Sequence, residues 1–282
     1  MTKIKTPVSV VILTYNEEIH ISRVINGVKD WADEVVVLDS YSEDKTVDIA
    51  KSLGVDVVFR KFDNYAKQRN YAIKEITLKN DWILFLDADE LMTDELKVEI
   101  TDTLRNPQKD GYEIKFRFYF MGKWIKYGGY YPTYILRLFN RKKASINRDI
   151  NEHITVDGEL GRLKHDFMDV NKKDFTFWVH KHNKYSTYEA EDLFKKNKTE
   201  DEKGFANFFG TQAQRKRWVR VKIWNRLPLF FRPLLYFLYR YFLKLGFLDG
   251  MVGLIFHFNH AFVYYMQIDV KYYQKKKNLF NE

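Results

Sequence analysis

The residues best suited to chemistry are Asp87-Ala88-Asp89. Two carboxylates two residues apart can share one hard divalent cation, Mg2+ or Mn2+, because such ions take oxygen ligands. A cation held there can neutralise the charge that builds on a diphosphate leaving group. Alone, the triplet is no more than two acids after an apolar run, and such acids are commonly solvated. Two further polar stretches also follow apolar runs: Thr14-Tyr15-Asn16-Glu17 and Asp39-Ser40-Tyr41-Ser42. Thr14 and Asn16 can cap the helix that follows or cradle a nucleobase and ribose. Asp39 can accept a hydrogen bond from a pyrimidine N3–H. Lys67 and Arg69 sit near the start of a helical segment, where the dipole disfavours cations and a phosphate partner would offset that cost.

The elements that must position these residues are legible from periodicity. Continuous β-branched and apolar runs predict strands over Val8–Leu13, Glu34–Asp39, Val55–Phe59 and Trp82–Leu86, the first two of them buried. Helical spacing predicts helices over Glu17–Val28, Ser42–Leu53, Asn64–Ile76 and Thr93–Leu104, with Ser42 or Asp44 and Thr93 as caps. Strand and helix thus alternate four times, which predicts an α/β fold with a mostly parallel, Rossmann-like sheet and flanking helices. In such sheets ligands bind beyond the carboxyl ends of the strands. The three polar stretches all fall there, and that placement lifts the acidic triplet above an ordinary strand end.

From Gly111 to about His182 the texture changes. Alternating Tyr112, Ile114, Phe116, Phe118 and Phe120 predict antiparallel strands, followed by an aromatic, glycine-rich loop over Trp124–Pro132 and another strand over Thr133–Asn140. That loop could stack on an acceptor sugar or lipid, or simply pack in the core. Residues 184–210 read as a polar helical connector. The expected division is one domain over 1–210, with a nucleotide half (1–110) and an acceptor half (111–210), and a basic, aromatic helical tail over 211–282.

Composition bounds the rest. The chain has 282 residues, 45% of them apolar, and no cysteine, so disulfides, thiolate metal sites and cysteine nucleophiles are excluded. Val8–Leu13 is too short for a secretory core, so a cytoplasmic location is expected. The net charge is +9, but residues 211–282 carry 13 Lys and Arg against three acids, while the first 210 carry 34 against 35. All the excess sits in the tail, which suits an anionic surface. There, Arg232, Tyr236, Arg240 and Lys244 recur at i, i+4, predicting a cationic stripe on an amphipathic helix that lies in a membrane interface with its cations at the headgroups. The longest uncharged stretch, Gly250–Ile268, is interrupted by His257, Asn259 and His260 and is marginal as a span. Binding of the tail to nucleic acid by charge and stacking is the alternative. The balanced first 210 residues argue against it, so no nucleic-acid partner is expected.

Together VSVVILTYNEE, EVVVLDSYSEDKT, AKQRNYA and WILFLDADE, in this order over roughly residues 6–100, resemble family 2 glycosyltransferases of the GT-A fold. The resemblance implies a metal-dependent enzyme, a nucleotide-sugar donor (usually a UDP-sugar), a divalent cation and inversion at the anomeric carbon. It implies that Thr14, Asn16, Glu17 and Asp39 hold the nucleoside, that Lys67 and Arg69 lie near uracil or phosphate, that Asp87 touches ribose and that Asp89 binds the metal. YILRLFNR (134–141), Asn151-Glu152-His153, Leu163-Lys164-His165, KHNKYS (181–186) and KLGFLDG (244–250) resemble a narrower branch, the bacterial lipopolysaccharide core glycosyltransferases of the WaaE/KdtX type. That branch implies a lipid-linked or lipopolysaccharide acceptor and a peripheral position on the inner face of the cytoplasmic membrane.

Inverting transfer needs a base for the acceptor hydroxyl. Glu152 is the candidate and His153 the fallback. Arg137 and Arg148 are candidates to face the diphosphate, and His165 or His180 could complete the metal site alongside Asp87 and Asp89. Transfer to polyprenyl phosphate is the alternative reaction; its nucleophile is already a phosphate and needs no base.

Overall fold

The computed structural model describes residues 5–146, 154–196 and 227–278, in two compact units. Arg148, Glu152 and His153 lie outside the described residues. The first unit holds residues up to Ile125 and Tyr130–Lys172. Its strands are β1 (Thr6–Thr14), β2 (Ala32–Asp39), β3 (Asp56–Phe59), β4 (Trp82–Asp87), β5 (Glu90–Met92), β6 (Gly111–Phe120), β7 (Lys123–Trp124), β8 (Tyr134–Asn140), β9 (Ala144–Ile146), β10 (Ile154–Val156) and β11 (Leu160–Val170). Its helices are α1 (Ile21–Val28), α2 (Thr46–Ser52), α3 (Tyr65–Lys74) and α4 (Asp94–Arg105).

The main sheet runs β3-β2-β1-β4-β8-β6-β11-β5, with β7 paired to β6, and β9 pairs β10 separately. The four N-terminal strands are parallel, as the alternation predicts. Period-two burial explains their apolar runs. Val8, Val10 and Ile12 of β1 and Leu84 and Leu86 of β4 enter one core cluster, while Val11, Ile83 and Phe85 enter the other, on the opposite face. Each such buried side chain contributes about 1.5–3 kcal/mol.

Two helices start as predicted. Asn64 Oδ1 accepts from Lys67 N at 2.8 Å ahead of α3, and Thr93 Oγ1 accepts from Leu96 N at 3.3 Å ahead of α4. Two start later. Glu17–His20 closes a separate turn, with Ile21 N bonded to Glu17 O at 2.9 Å, and α2 begins only at Thr46. The second half of the sheet is mixed rather than antiparallel throughout. β8 runs antiparallel to β4 and β6, but β6 and β11 are parallel, because the chain crosses from one to the other through β8, β9 and β10.

The second unit comprises Lys126–Gly129 and residues from Lys173 onward, so residues 173–196 group with the tail rather than with the first 172. Its helices are α5 (Phe175–Lys196), α6 (Arg232–Leu238), α7 (Gly250–His257) and α8 (Tyr264–Lys276), with π-helical turns over Tyr239–Leu243 and Phe258–Val263. Helix α5 packs on α8, where Lys271 Nζ donates to Asn183 O at 2.6 Å and to Ser186 Oγ at 2.7 Å.

The expected cationic stripe is not on the surface. Arg232 is 4% exposed and its guanidinium grips Asp269, with Nε 2.8 Å from Oδ1. Arg240, also buried, donates from Nε to Gly128 O at 2.7 Å. Both cations turn inward because α6 meets an acid on α8 and the π-helical turn after it meets the Gly128 carbonyl of the 126–129 loop. Of the stripe, Lys244 alone is exposed. Gly128 must be glycine: its φ is +69°, and a Cβ would sit 2.1 Å from His257 Cε1.

Candidate active site

Register brings the polar strand ends together. Thr14 pairs with Asp39 across β1 and β2, and Leu13 pairs with Asp87 across β1 and β4. Asp39 is fully buried. Its Oδ2 accepts from Thr14 Oγ1 at 2.9 Å and from Ser42 Oγ at 2.6 Å, and its Oδ1 accepts from Ser42 N at 2.8 Å. The carboxylate therefore holds the two loops that follow β1 and β2. Ser42 Oγ accepts in turn from Asn16 N at 2.8 Å, Asn16 Oδ1 accepts from Glu43 N at 2.8 Å, and Glu17 N donates to Thr46 Oγ1 at 2.7 Å. Asn16 and Tyr41 adopt left-handed φ values of 54° and 63°, which asparagine tolerates better than most residues. Tyr15 and Tyr41 are exposed on these loops and offer ring faces for a nucleobase.

On α3 the sequence points to Lys67 and Arg69, and the structure adds their neighbour. Gln68 is buried; its Nε2 donates to Ser40 Oγ at 3.1 Å and its Oε1 accepts from Arg60 Nη1 at 2.6 Å. Arg60 N also donates to Asp39 O at 3.0 Å. Lys67 faces solvent with Asp63 3.5 Å away.

Arg69 turns to Asp87 at 3.4 Å. Asp87 lies between two arginines, since Arg137 Nη2 donates to its Oδ2 at 2.8 Å. Arg137 is buried and also grips Glu90, whose Oε2 accepts from Asp87 N at 2.9 Å and closes the 87–90 turn. Arg137 is thus an internal counter-ion, with its Nη2 committed to two carboxylates. Two cations face two carboxylates, and that balance is what permits the burial. Burial pushes the Glu90 carboxyl above the usual carboxylate range and Asp87 adds to this, against the pull of Arg137. Burial alone would lower Arg137, but Asp87 and Glu90 more than reverse it and keep it charged.

Asp89 is placed differently. Its Oδ2 accepts from Asn171 Nδ2 at 2.8 Å, and its carbonyl accepts from Val170 N at 2.9 Å. Arg23 on α1 donates to Val170 O at 2.6 Å. One residue on, Lys172 N donates to His20 Nε2 at 2.8 Å, so the His20 proton sits on Nδ1 and is donated to Glu17 Oε2 at 2.5 Å. The end of β11 thus ties the acidic turn to the loop after β1. Glu17 points to His20 in this network. Arg23, Gln68, Glu90 and Asn171 are additions that sequence spacing does not reveal.

The donor set fits a divalent cation of one kind. Asp87 is paired with two arginines, while half-buried Asp89 accepts a hydrogen bond from the neutral Asn171 amide and meets the charge of Arg23 only through space. Among the described residues no cluster of three or more His, Asp or Glu could enclose an ion. Mg2+-like ions are often held by one or two carboxylates, with substrate phosphates and water completing the shell. His165 does not join the site. Its N and Nδ1 lie 2.8 and 2.9 Å from Glu99 Oε2 at the β11 irregularity, about 13 Å along the strand from Asp169 at ~3.3 Å per residue, and Asp169 pairs with Glu90. His180 is exposed on α5 of the second unit.

On β6, Arg117 donates to the buried Asp166 from Nε at 3.0 Å, and Tyr131 OH donates to the same carboxylate at 2.9 Å. Trp124 meets Tyr131 edge-on at 5.0 Å. The aromatic loop is therefore pinned in part by an acid.

Comparison with known proteins gives a consistent result. The family model described as "Glycosyl transferase family 2" matches residues 9–170. An uncharacterized glycosyltransferase of Rickettsia typhi is 34% identical over 262 residues, covering 88% of this chain and 82% of that protein. One from Rickettsia bellii is 37% identical over 205 residues, covering 68% and 69%. Among solved structures, Mycobacterium tuberculosis glucosyl-3-phosphoglycerate synthase with Mn2+, UDP and glucosyl-3-phosphoglycerate is 24% identical, with a TM-score of 0.34. That match covers 40% of this chain and 44% of the synthase, so the chain spans less than half of that protein.

Proposed function

The chain belongs to glycosyl transferase family 2, and from that premise we propose that it moves a sugar from a nucleoside-diphosphate donor, a UDP-sugar first among them, to a hydroxyl of a lipid-linked glycan, with inversion and with a divalent cation on Asp89. The single observation that carries the reading is the asymmetry of the acidic turn. Asp87 is held between Arg69 and Arg137, and Asp89 is left as the carboxylate for a cation.

The divalent cation, when bound, supplies charge neutralisation for the diphosphate leaving group. The protein does the rest by position. Asp39 and Ser42 hold the loops after β1 and β2 in one conformation, so the nucleoside meets a preformed edge. Arg69 and Arg137 fix Asp87 for ribose. Asn171 orients Asp89 through its amide hydrogen bond. Glu152 is the proposed base that takes the acceptor proton, with His153 as its fallback. Arg148 is proposed to face the diphosphate. An acceptor of the lipopolysaccharide core type, and a place on the inner face of the cytoplasmic membrane, follow from the second-half motifs and from the tail.

A panel of nucleotide sugars tested by thermal shift with Mn2+ checks the donor. At a hundredfold excess over Kd, a bound donor adds about 2.7 kcal/mol of stability. One UDP-sugar should raise the melting temperature clearly and lose that effect without Mn2+. A flat panel would count against the reading.

A further inference from the structure

The C-terminal unit buries several charged groups and exposes several large apolar ones. Arg232 and Asp269 are buried against each other, and Arg240 is buried on Gly128 O. Asp249 is buried and accepts from Lys126 N and Tyr127 N at 3.2 and 2.9 Å. Both acids among the described residues of 227–278 are therefore enclosed, and neither repels an anionic surface. Outside, the apolar residues are large and close together. Leu238, Phe242, Leu245 and Leu248 are all exposed, with Leu243 at 76% and Met251 at 70%. In water large apolar side chains are mostly buried, and a run of exposed ones this dense in sequence marks an interaction surface. Charged groups that face the bundle interior and pair there, with apolar groups outward, are the pattern of helices in lipid.

Length decides how far such a unit can enter. Among the described residues no single helix is long and apolar enough to cross a membrane, but Arg232–Leu243 and Gly246–Lys276, bent by 72°, pass that test as a pair. The first arm has 7 residues in α6 and 5 in its π-helical turn, and the second opens with 4 in a 3-10 turn and 8 in α7. At ~1.5 Å per residue the first arm is about 18 Å long, short of the ~30 Å hydrocarbon core and close to one leaflet, while the second arm runs on through α8 to Lys276. Lys244, the cation at the bend, has its ammonium 5.6 Å from the Tyr239 ring centroid, back along the first arm. A lysine that folds back towards the arm can keep its charge near the headgroups while its stem sits among acyl chains.

We propose that the bend between Arg232–Leu243 and the arm that starts at Gly246 enters one leaflet of a lipid bilayer, with Leu243 and Met251 among the acyl chains. It is a re-entrant wedge, not a helix lying with its cations on the headgroups. The inference rests on the membrane reading given under the proposed function, and it is tested without turnover.

The chain has no cysteine, so Leu243→Cys and Met251→Cys each create one labelling site at an exposed position. Val98→Cys, exposed on α4 of the first unit, is the control. Each full-length variant carries an environment-sensitive fluorophore and is mixed with vesicles of equal parts phosphatidylethanolamine and phosphatidylglycerol. The vesicles hold a spin-label quencher either at the headgroup or deep in the acyl chain. Flotation with the vesicles, a blue shift at 243 and 251, and stronger quenching by the acyl-chain label are expected. The quenching should persist in about 1 M salt, where the screening length falls to ~3 Å. Label 98 should not respond. Flotation with quenching at the headgroup only would overturn insertion and leave the membrane reading standing. No flotation would overturn both. Shielding of labels 243 and 251 in a defined dimer without lipid would also overturn the proposal, because a second copy would then cover the face.

Discussion

Asp89→Asn will lower sugar transfer by about 10²–10³-fold, the scale of loss when one preorganised charge-stabilising group is removed from an active site. The fold should be unaffected. The asparagine side chain oxygen can still accept from Asn171 Nδ2, now 2.8 Å from Asp89 Oδ2, and the backbone bond from Val170 N is untouched. The stability change should stay within about 0.5 kcal/mol, as for most half-exposed substitutions. Asp87→Asn should behave differently. It removes the carboxylate that Arg69 and Arg137 share and leaves two cations facing Glu90 alone, so it should lower the melting temperature as well as activity. Initial rates with a UDP-sugar and melting curves of the two variants separate these outcomes. Equal losses of stability in both would remove the distinction between a metal carboxylate and a structural one.

The largest effect on stability is expected at Arg137. Arg137→Met keeps the bulk but leaves Glu90 and one side of Asp87 without their cation inside the protein. Breaking a buried pair by removing one partner costs about 3–5 kcal/mol. At ~2–4 °C per kcal/mol for a chain of this class, the melting temperature should fall by on the order of 10 °C. Glu90→Gln in the same background should recover part of the loss, with a coupling of about 0.5–3 kcal/mol.

The pH dependence has a definite sign. Burial and Asp87 raise the Glu90 carboxyl above its unfolded value, so the native state binds the extra proton. Stability then falls as pH rises from the ordinary carboxylate value towards the raised one. Without Arg137 to pull it down, that value rises further, so Arg137→Met should be closest to wild type in acid and furthest from it above neutrality. Denaturant titration at several pH values checks both points. A loss that does not change with pH, or no coupling to Glu90, would show that the pair is not the buried counter-ion system described above.

The N-terminal, parallel part of the sheet is legible in the sequence because its signals are local. Apolar runs such as Val8–Leu13 and Trp82–Leu86 are strands buried on both faces, and a run of that kind has few other uses. The acidic turn at the end of β4 is legible for the same reason. Its partners are not, because they come from far along the chain: Arg137 reaches Asp87 across 50 residues and Asn171 reaches Asp89 across 82. The i, i+4 spacing of Arg232, Arg240 and Lys244 shows that these cations share a helix face but not which way the face points. Asp269 and the Gly128 carbonyl decide that, and neither is visible from helical spacing. His165 shows the same limit. Its motif-like setting suggests a metal ligand, and at the register irregularity of β11 it pairs with Glu99 instead.

Calorimetric titration of UDP into the wild-type protein and into Asp89→Asn, each with and without Mn2+, tests the central claim most directly, because it reads binding at the strand ends with no acceptor present. Wild type should bind UDP much more tightly with Mn2+ than without, and Asp89→Asn should lose that difference while keeping its melting temperature. UDP bound equally well by wild type with and without Mn2+, or an undiminished Mn2+ effect in Asp89→Asn, would contradict the assignment of Asp89 as the carboxylate that holds the cation against the diphosphate.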